Sequence, residues 1–345
     1  MLIRFSVFAL CSLRICHAQL SAPVAGLLAN AEGTEIRAIV GSAGASSVEL
    51  PMTLPRTVRH VYLAPAQTWA LVEQAKGPLG MMLFQDAHPA VDQGVNTNVV
   101  HAIGGTFAAP DAVAFSPNGS SAALLSGAAI QIVRMNGTAQ LAWQAEVSGL
   151  PSVSSLSVSD DGALVLVLTR EGALYSLSGN GVPQIVAQTS GFAAVTFLPN
   201  QMTAVIYDAG KLTLLENLTA QFASRVVVAG LENQGLYRGR ALLQISRDGR
   251  FAFSATYGGH AVNRTELATG ETANVESPVN TVMLDRLRDG ETFLLSAEPG
   301  SSAWLLVAQG ADLGVVFAPR TPARRPAVRP APSQLPTPTP ARAIR

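Results

Sequence analysis

The chain has 345 residues, of which 48% are hydrophobic and 13% charged, and its 23 basic and 23 acidic side chains leave no formal net charge. Disordered chains combine low hydrophobicity with high charge, so this composition excludes one. It also argues against a nucleic-acid-binding protein, which needs a basic surface to contact phosphates. Cys11 and Cys16 are the only cysteines, which excludes a disulfide scaffold and a cysteine-based zinc site. We expect a globular protein with no cofactor, no metal and no nucleic-acid partner.

Residues 1–18 have the organisation of a secretory signal peptide. Arg4 supplies the positive charge, residues 5–13 form a short apolar segment, and Ala18 offers a small residue at the cleavage point. The apolar segment is shorter than the ~20 residues that a membrane span requires. We therefore expect cleavage after Ala18, a secreted or periplasmic protein, and no transmembrane span after cleavage.

Two other interpretations of this segment stay open. A buried N-terminal strand would also explain its apolar residues, and Arg14 interrupts the apolar run. Lipid attachment at Cys11 or Cys16 is less favoured, because a small residue should precede the modified cysteine and Leu10 and Ile15 stand there instead.

A short apolar strand followed by a polar turn recurs six times between residues 61 and 290. The turns are centred on residues 67, 119, 162, 201, 249 and 290, at intervals of 52, 43, 39, 48 and 41 residues. A period of this length with four strands per repeat is typical of a β-propeller blade. Two of the units are predicted to hold strands at 111–116, 121–126, 129–134 and 141–147, and at 154–159, 164–169, 173–177 and 183–188. No convincing helical period occurs beyond the leader, which argues against alternating strands and helices.

The number of blades depends on the N-terminal region. An additional pair of strands is predicted at 25–29 and 36–40, and this pair could join 313–317 in a composite blade that closes the ring. That arrangement gives seven blades of four strands, which we favour, because a closed ring leaves no exposed sheet edge between its ends. Six blades with an appended hairpin is the alternative.

Two of the turns carry a family resemblance. Phe115-Ser116-Pro117-Asn118-Gly119 and Ile245-Ser246-Arg247-Asp248-Gly249-Arg250 resemble the repeats of bacterial secreted propellers of the WD-like and YVTN type. The resemblance covers roughly residues 55–318 and implies the fold. The Gly-His and Trp-Asp marks of WD repeats and the YVTN tetrapeptide are missing. The 21 arginines against two lysines suggest a bacterial, GC-rich genome.

The channel mouth of the predicted ring is the most promising place for a site. The repeat phase places near it the candidate ligand-binding residues His60, Asp111, Arg238, Arg240 and Asn280. The arginine pair is unusual in this lightly charged chain and could bind a carboxylate or a phosphate. A structural salt bridge to Asp111 or Glu232 is the alternative.

A further acidic segment, Asp160-Asp161-Gly162, falls on a predicted strand-to-strand turn. We interpret it as a structural turn, in which Asp caps the backbone and Gly takes positive φ. A calcium site is the alternative.

Three functions remain open. We favour a non-catalytic scaffold that binds a protein or polymer of the cell envelope as a monomer, because no sequence motif for catalysis occurs. The second is a small anionic or sugar ligand at the channel mouth. The third is a hydrolase of the lactonase type, an activity that the resemblance allows and that would need His60, Asp111 and Arg240 close together.

The C-terminal segment, residues 319–345, differs in composition from the rest. It holds eight prolines, six arginines and no acidic residue. Proline has no amide hydrogen for a sheet, so a disordered or polyproline II tail is predicted. Subtracting these six arginines and the two of the leader leaves 15 basic against 23 acidic residues in 19–318, a net charge of −8. We expect an acidic propeller domain with a basic tail.

Overall fold

The computed structural model describes residues 24–321, except 31, 43, 53, 85–98, 180, 220–221, 232–239 and 298–301. The described chain is built of β-strands and turns, and it contains no helix that is long and apolar enough to cross a membrane. Its strands form seven antiparallel sheets in chain order, which we number blades 1 to 7. The protein is therefore a seven-bladed β-propeller. The predicted signal peptide and most of the expected tail lie outside the described residues.

The strands of each blade follow one another along the chain, from the innermost to the outermost. Blade 1 contains β1 (Val24–Ala29), β2 (Ile36–Ser42) and β3 (Ala45–Pro51). Blade 2 contains β4 (Val58–Leu63), β5 (Trp69–Gln74), β6 (Gly80–Leu83) and β7 (Val100–Ala102). Blade 3 contains β8 (Ala112–Phe115), β9 (Ser121–Ser126), β10 (Ala129–Asn136) and β11 (Thr138–Glu146). Blade 4 contains β12 (Val153–Val158), β13 (Leu164–Thr169), β14 (Ala173–Ser178) and β15 (Gln184–Gln188).

The last three blades repeat this order. Blade 5 contains β16 (Ala194–Phe197), β17 (Ala204–Asp208), β18 (Lys211–Glu216) and β19 (Ala223–Val228). Blade 6 contains β20 (Ala241–Ile245), β21 (Phe251–Thr256), β22 (Gly259–Glu266) and β23 (Thr272–Thr281). Blade 7 contains β24 (Asp285–Arg286), β25 (Thr292–Ala297), β26 (Ala303–Gln309) and β27 (Asp312–Ala318). The predicted strands of blades 3 and 4 are confirmed to within about two residues at most ends.

The turn after each innermost strand explains the repeat. In blades 3, 4, 6 and 7 a glycine at the predicted turn position has a φ between 61° and 82°, a region that glycine reaches without strain. In blade 5 this conformation belongs to Asn200 (φ 56°) rather than to the neighbouring residue, and in blade 2 it belongs to Gln67 (φ 52°). Because each turn needs the same backbone conformation, similar turn residues recur in the sequence once per blade. The spacing of these turns is therefore the spacing of the blades.

The hydrophobic core is divided into seven clusters, one between each pair of neighbouring blades. The continuous apolar strand β13 illustrates this, because its residues alternate between two clusters. Leu164, Leu166 and Leu168 pack towards blade 5, whereas Val165 and Val167 pack towards blade 3. The cluster between blades 7 and 1 joins residues such as Leu287 and Leu305 to Ile39 and Val48. Seven interfaces for seven blades mean that the ring is closed.

The fourth segment of blade 1 comes from the other end of the chain. The Val48 amide in β3 donates to the Pro319 carbonyl (2.8 Å), and the Thr321 amide donates to the Val48 carbonyl (2.8 Å). These bonds form a parallel bridge between Val48 and Arg320, and the Thr321 hydroxyl donates to a Glu49 carboxylate oxygen at 3.1 Å. Residues 319–321, assigned above to the tail, therefore belong to the ring.

The expected composite closing blade is wrong in its details. Residues 313–317 belong to β27, the outermost strand of blade 7, where they pair with β26 rather than with the N-terminal strands. The N-terminal pair is instead extended by a third strand, β3, that the sequence did not indicate. A parallel partner about 270 residues away leaves no local pattern in the sequence.

Candidate functional site

The channel is bridged at one end by Arg286. This side chain is only 6% exposed. One guanidinium nitrogen, Nη1, donates to the Ile245 carbonyl of blade 6 at 2.9 Å, and Nη2 donates to the Pro117 carbonyl of blade 3. Blades 7 and 3 are not neighbours in the ring, so this contact crosses the central space. Arg286 forms a floor at the end of the channel that holds the turns after the innermost strands.

Burial lowers the pKa of the Arg286 guanidinium, and the positive charge of Arg247 acts in the same direction, while Asp160 opposes both. No carboxylate forms an ion pair with Arg286 within the described part of the chain. The guanidinium is held by backbone carbonyls instead. Its two hydrogen bonds therefore carry the interaction between blades 3, 6 and 7 at the floor.

A second network ties the turns of blades 3, 4 and 5 together at the same end. The two carboxylate oxygens of Asp160 accept hydrogen bonds from the backbone amides of Asn118 (2.8 Å) and Asn200 (2.6 Å). The Asn118 side-chain amide donates to the Asn200 side-chain oxygen at 3.2 Å. Asp161 caps its own turn by accepting from the Ala163 amide at 2.9 Å. This arrangement agrees with the structural interpretation of the acidic turn.

Above the floor lies a cavity of about 630 Å³. The innermost strands of blades 3 to 7 form its wall. The polar side chains that line it include Ser155, Thr196, Gln244, Asp285, Arg240 and Tyr257. Asp285 and Arg240 are the only charged residues among the described residues of the wall. A cavity of this size suits a small organic ligand.

The two charged residues lie at opposite ends of the cavity. Asp285 immediately precedes Arg286 and is therefore next to the floor. Arg240 precedes the first residue of β20, whereas Ile245, the last residue of β20, contacts Arg286. The Arg240 carbonyl accepts a hydrogen bond from the amide of Tyr257 (2.8 Å), whose side chain is 50% exposed. Arg240 therefore marks the mouth.

Asp285 is exposed to solvent within the cavity, but the protein atoms around it desolvate its carboxyl group and raise its pKa. No hydrogen bond or ion pair joins this carboxyl to any other side chain in the described ranges. An unpaired carboxyl group with a raised pKa, lying in a cavity, is frequent at functional sites.

We predict that Asp285→Asn stabilises the protein at neutral pH. Since the pKa of Asp285 is higher in the folded than in the unfolded protein, ionisation lowers the stability as the pH rises above the ordinary aspartate pKa of about 3.9. The variant should unfold at higher denaturant than wild type at pH 7, and the difference should vanish near pH 3.5. Asp312→Asn, an exposed aspartate of β27, is the control and should show no such gain. Equal stability of Asp285→Asn and wild type at pH 7 would contradict the prediction.

The five predicted ligand-binding residues are not brought together. Arg240 lines the cavity, and Arg238 lies outside the described residues. His60 is half-buried on β4, where the centroid of its ring is 4.3 Å from that of the Tyr62 ring. Asp111 caps the turn after β9 by accepting from the Gly127 amide at 2.7 Å. Asn280 lies exposed near the end of β23, two residues before Val282 of the cavity wall, but does not itself line the cavity. His60 and Asp111 do not line the cavity. Of the three residues that a hydrolase would need, only Arg240 lines it.

Asp285 and Arg286 were missed, although the repeat carries a signal for them. Arg286 stands four residues before the turn glycine, where the other blades have residues such as Val158 and Ile245. Asp285 stands five residues before it, where two other blades have Ser157 and Gln244. A charged residue at a repeat position that is apolar or neutral in other blades indicates a structural or binding role that is particular to its own blade.

Comparisons with known proteins agree on the fold. No protein-family model matches the chain, and no curated protein matches it either. Among solved structures, it is similar to a candidate 6-phosphogluconolactonase from Bacteroides uniformis, with a TM-score of 0.54 and 12% identity over 86% of this chain and 96% of the other. A protein of unknown function from Desulfotomaculum acetoxidans has a TM-score of 0.53 and 13% identity over 86% and 99%. Identities this low show the propeller fold alone.

Proposed function

We propose that the protein is an exported, non-catalytic propeller that binds a protein or polymer of the bacterial cell envelope. The signal-like segment at residues 1–18 and the basic tail support export and a location in the envelope. The observation that carries the binding role is an apolar surface on the outside of two neighbouring blades, described next.

The outermost strands of blades 4 and 5 expose apolar side chains to solvent. We call this surface the blade 4–5 rim; it consists of Val182 (81% exposed), Ile185 (59%), Val226 (52%) and Phe222 (40%). The outer strand of blade 3, β11, behaves differently, because its exposed positions include Thr138, Gln140 and Glu146 and its less exposed ones Leu141 and Trp143. Exposed apolar side chains that recur on the outer strands of two neighbouring blades favour an interaction surface there.

The backbone of the rim strengthens this interpretation. β15 and β19 are the last strands of their sheets, so one edge of each is unpaired in the described chain. An extended segment of a partner can add to such an edge by backbone hydrogen bonds, while the apolar side chains provide contact area. Arg225 in β19 is exposed beside Val226 and would favour an acidic partner.

We predict that replacing both Ile185 and Val226 by serine lowers binding to isolated bacterial envelope fragments at least tenfold, because the variant removes the most exposed apolar side chains of the two edge strands. Co-sedimentation with untreated and protease-treated fragments measures the retention and distinguishes a protein partner from a polymer. Val99→Ser changes an equally exposed valine (61%) next to blade 2 and should bind as wild type does. Unchanged retention of the double variant, or no retention of wild type, would argue against this function.

A second candidate function is the binding of a small ligand in the channel. The cavity above the Arg286 floor favours it, since it is closed at one end and carries Arg240 at its mouth. Hydrolysis of a lactone is an alternative, to which the name of the similar Bacteroides uniformis protein points. The cavity supports binding better, because neither His60 nor Asp111 lines it.

A further inference from the structure

The channel cavity has opposite charges at its two ends. Asp285 lies next to the floor and Arg240 lies at the mouth. In the repeat Asp285 corresponds to Gln244, four residues beyond Arg240, so the two levels are roughly 14 Å apart at about 3.4 Å per residue. No ion pair joins the two side chains, and neither forms one with another residue of the described chain. Each charge is therefore available to a ligand.

The wall between the two charges is neutral. Ser155, Thr196 and Gln244 offer hydroxyl and amide groups, and Leu242 and Met283 offer apolar surface. Neutral hydrogen-bonding groups of this kind suit the peptide groups or hydroxyls of a ligand, and the apolar ones suit short aliphatic side chains. The wall adds no third charge that would exclude either sign from the middle of the cavity.

These features limit the chemistry of the ligand. A simple anion would be attracted by Arg240 at the mouth but repelled by the Asp285 carboxylate at the floor. A simple cation would be repelled by Arg240 and attracted by Asp285. A ligand with a cationic and an anionic end satisfies both, and it supplies the partner that the Asp285 carboxyl lacks. Charge-assisted hydrogen bonds to both ends would be among the stronger contacts that the cavity can form.

We propose that the cavity binds a small zwitterion, with its ammonium group at Asp285 and its carboxylate at Arg240. The amino acids and short linear peptides have this chemistry. The length of β20 sets an upper limit on the ligand, and the two side chains also reach into the cavity, so a peptide of two to four residues fits the distance at about 3.3–3.6 Å per residue. The inference rests on small-ligand binding in the channel and is independent of the blade 4–5 rim.

The raised pKa of the Asp285 carboxyl group supports this assignment. Desolvation disfavours the charged form in the empty cavity, and an ammonium group placed beside it restores that form. Asp285 is thus an unpaired acidic group whose ionised form a cationic ligand end would stabilise.

The test is isothermal titration of the purified protein with alanine, di-, tri- and tetra-alanine. Each peptide is accompanied by forms that lack one charge or both: the C-terminal amide, the N-acetyl peptide and the N-acetyl peptide amide. We expect the free peptides of two to four residues to bind, each blocked form to bind at least tenfold more weakly, and the doubly blocked form to show no binding.

Variants assign the two ends. Asp285→Asn should weaken the binding of free peptides at least tenfold and leave the binding of N-acetyl peptides unchanged. Arg240→Gln should weaken the binding of free and N-acetyl peptides and leave that of the peptide amides unchanged. Asp312→Asn and Arg134→Gln, at exposed positions of β27 and β10 that do not line the cavity, are matched controls and should bind as wild type does.

Three outcomes overturn the inference. Equal loss of all peptide forms in both variants would show that the variants disturb the cavity rather than remove a charge contact. Tighter binding of gluconate or glucose, titrated as anionic and neutral probes, would keep small-ligand binding and reject the zwitterion. Absence of binding by every probe at millimolar concentration would reject both.

Discussion

Replacing Arg286 by leucine should lower the free energy of unfolding by about 2–3 kcal/mol. Hydrogen bonds to charged groups contribute about 1.5–3 kcal/mol each, and the variant removes two of them and leaves the carbonyls of Ile245 and Pro117 without their donor. Loss of a buried charge that has no carboxylate partner offsets part of this cost. The expected value is therefore below the sum of the two bonds.

Equilibrium unfolding in urea measures the effect. Arg286→Lys keeps the charge, but a single ammonium group replaces the planar fork that reaches two blades, so this variant should also be destabilised. Arg288→Leu changes the next arginine along the chain, which forms no hydrogen bond with another described residue, and should stay within about 0.5 kcal/mol of wild type. If Arg286→Leu unfolds at the same urea concentration as Arg288→Leu, the stability of the floor does not depend on the Arg286 guanidinium.

Replacing Gln67 by leucine should cost about 3 kcal/mol of stability. The Gln67 side chain is only 4% exposed. Its amide oxygen accepts from the Leu27 amide at 2.6 Å and its amide nitrogen donates to the Leu27 carbonyl at 2.9 Å. Leucine has a similar size but no polar atoms, so both backbone groups of β1 would be buried without partners, at about 1–3 kcal/mol for each.

Two further variants separate the hydrogen bonds from the turn conformation. Gln67→Asn tolerates the positive φ of 52° at this position, but its shorter side chain does not reach Leu27, so it should be nearly as unstable as the leucine variant. Gln201→Leu changes an exposed glutamine in the corresponding turn of blade 5 and should be neutral. Thermal unfolding compares the three, and a stable Gln67→Asn would show that only the backbone conformation matters.

The turn at Gln67 shows what the sequence could predict and what it could not. Its position in the repeat was predicted, because turn residues and strand length are local properties that recur in every blade. Its contacts with Leu27 were not, since they join two blades whose relative placement depends on the closed ring. The strands of blades 3 and 4 were predicted well for the same local reason.

The candidate site was predicted poorly because it depends on the contacts between blades. Asn280 was placed at the channel mouth. It lies two residues before Val282 of the cavity wall, but it is itself exposed in β23 and does not line the cavity. Arg286 was not singled out, because nothing near it in the sequence reveals that its partners are in blades 3 and 6.

The pairing of Val48 with residues 319–321 has a consequence for the order of folding. Blades 2 to 6 are each formed from one continuous piece of chain, so their sheets can form while later parts of the protein are still being made. Blade 1 cannot gain its outer segment until residue 321 has been synthesised, about 270 residues after Val48. Contacts at such a sequence separation form slowly, because a long loop must close first. Ring closure is therefore a late event that follows the formation of the individual blades.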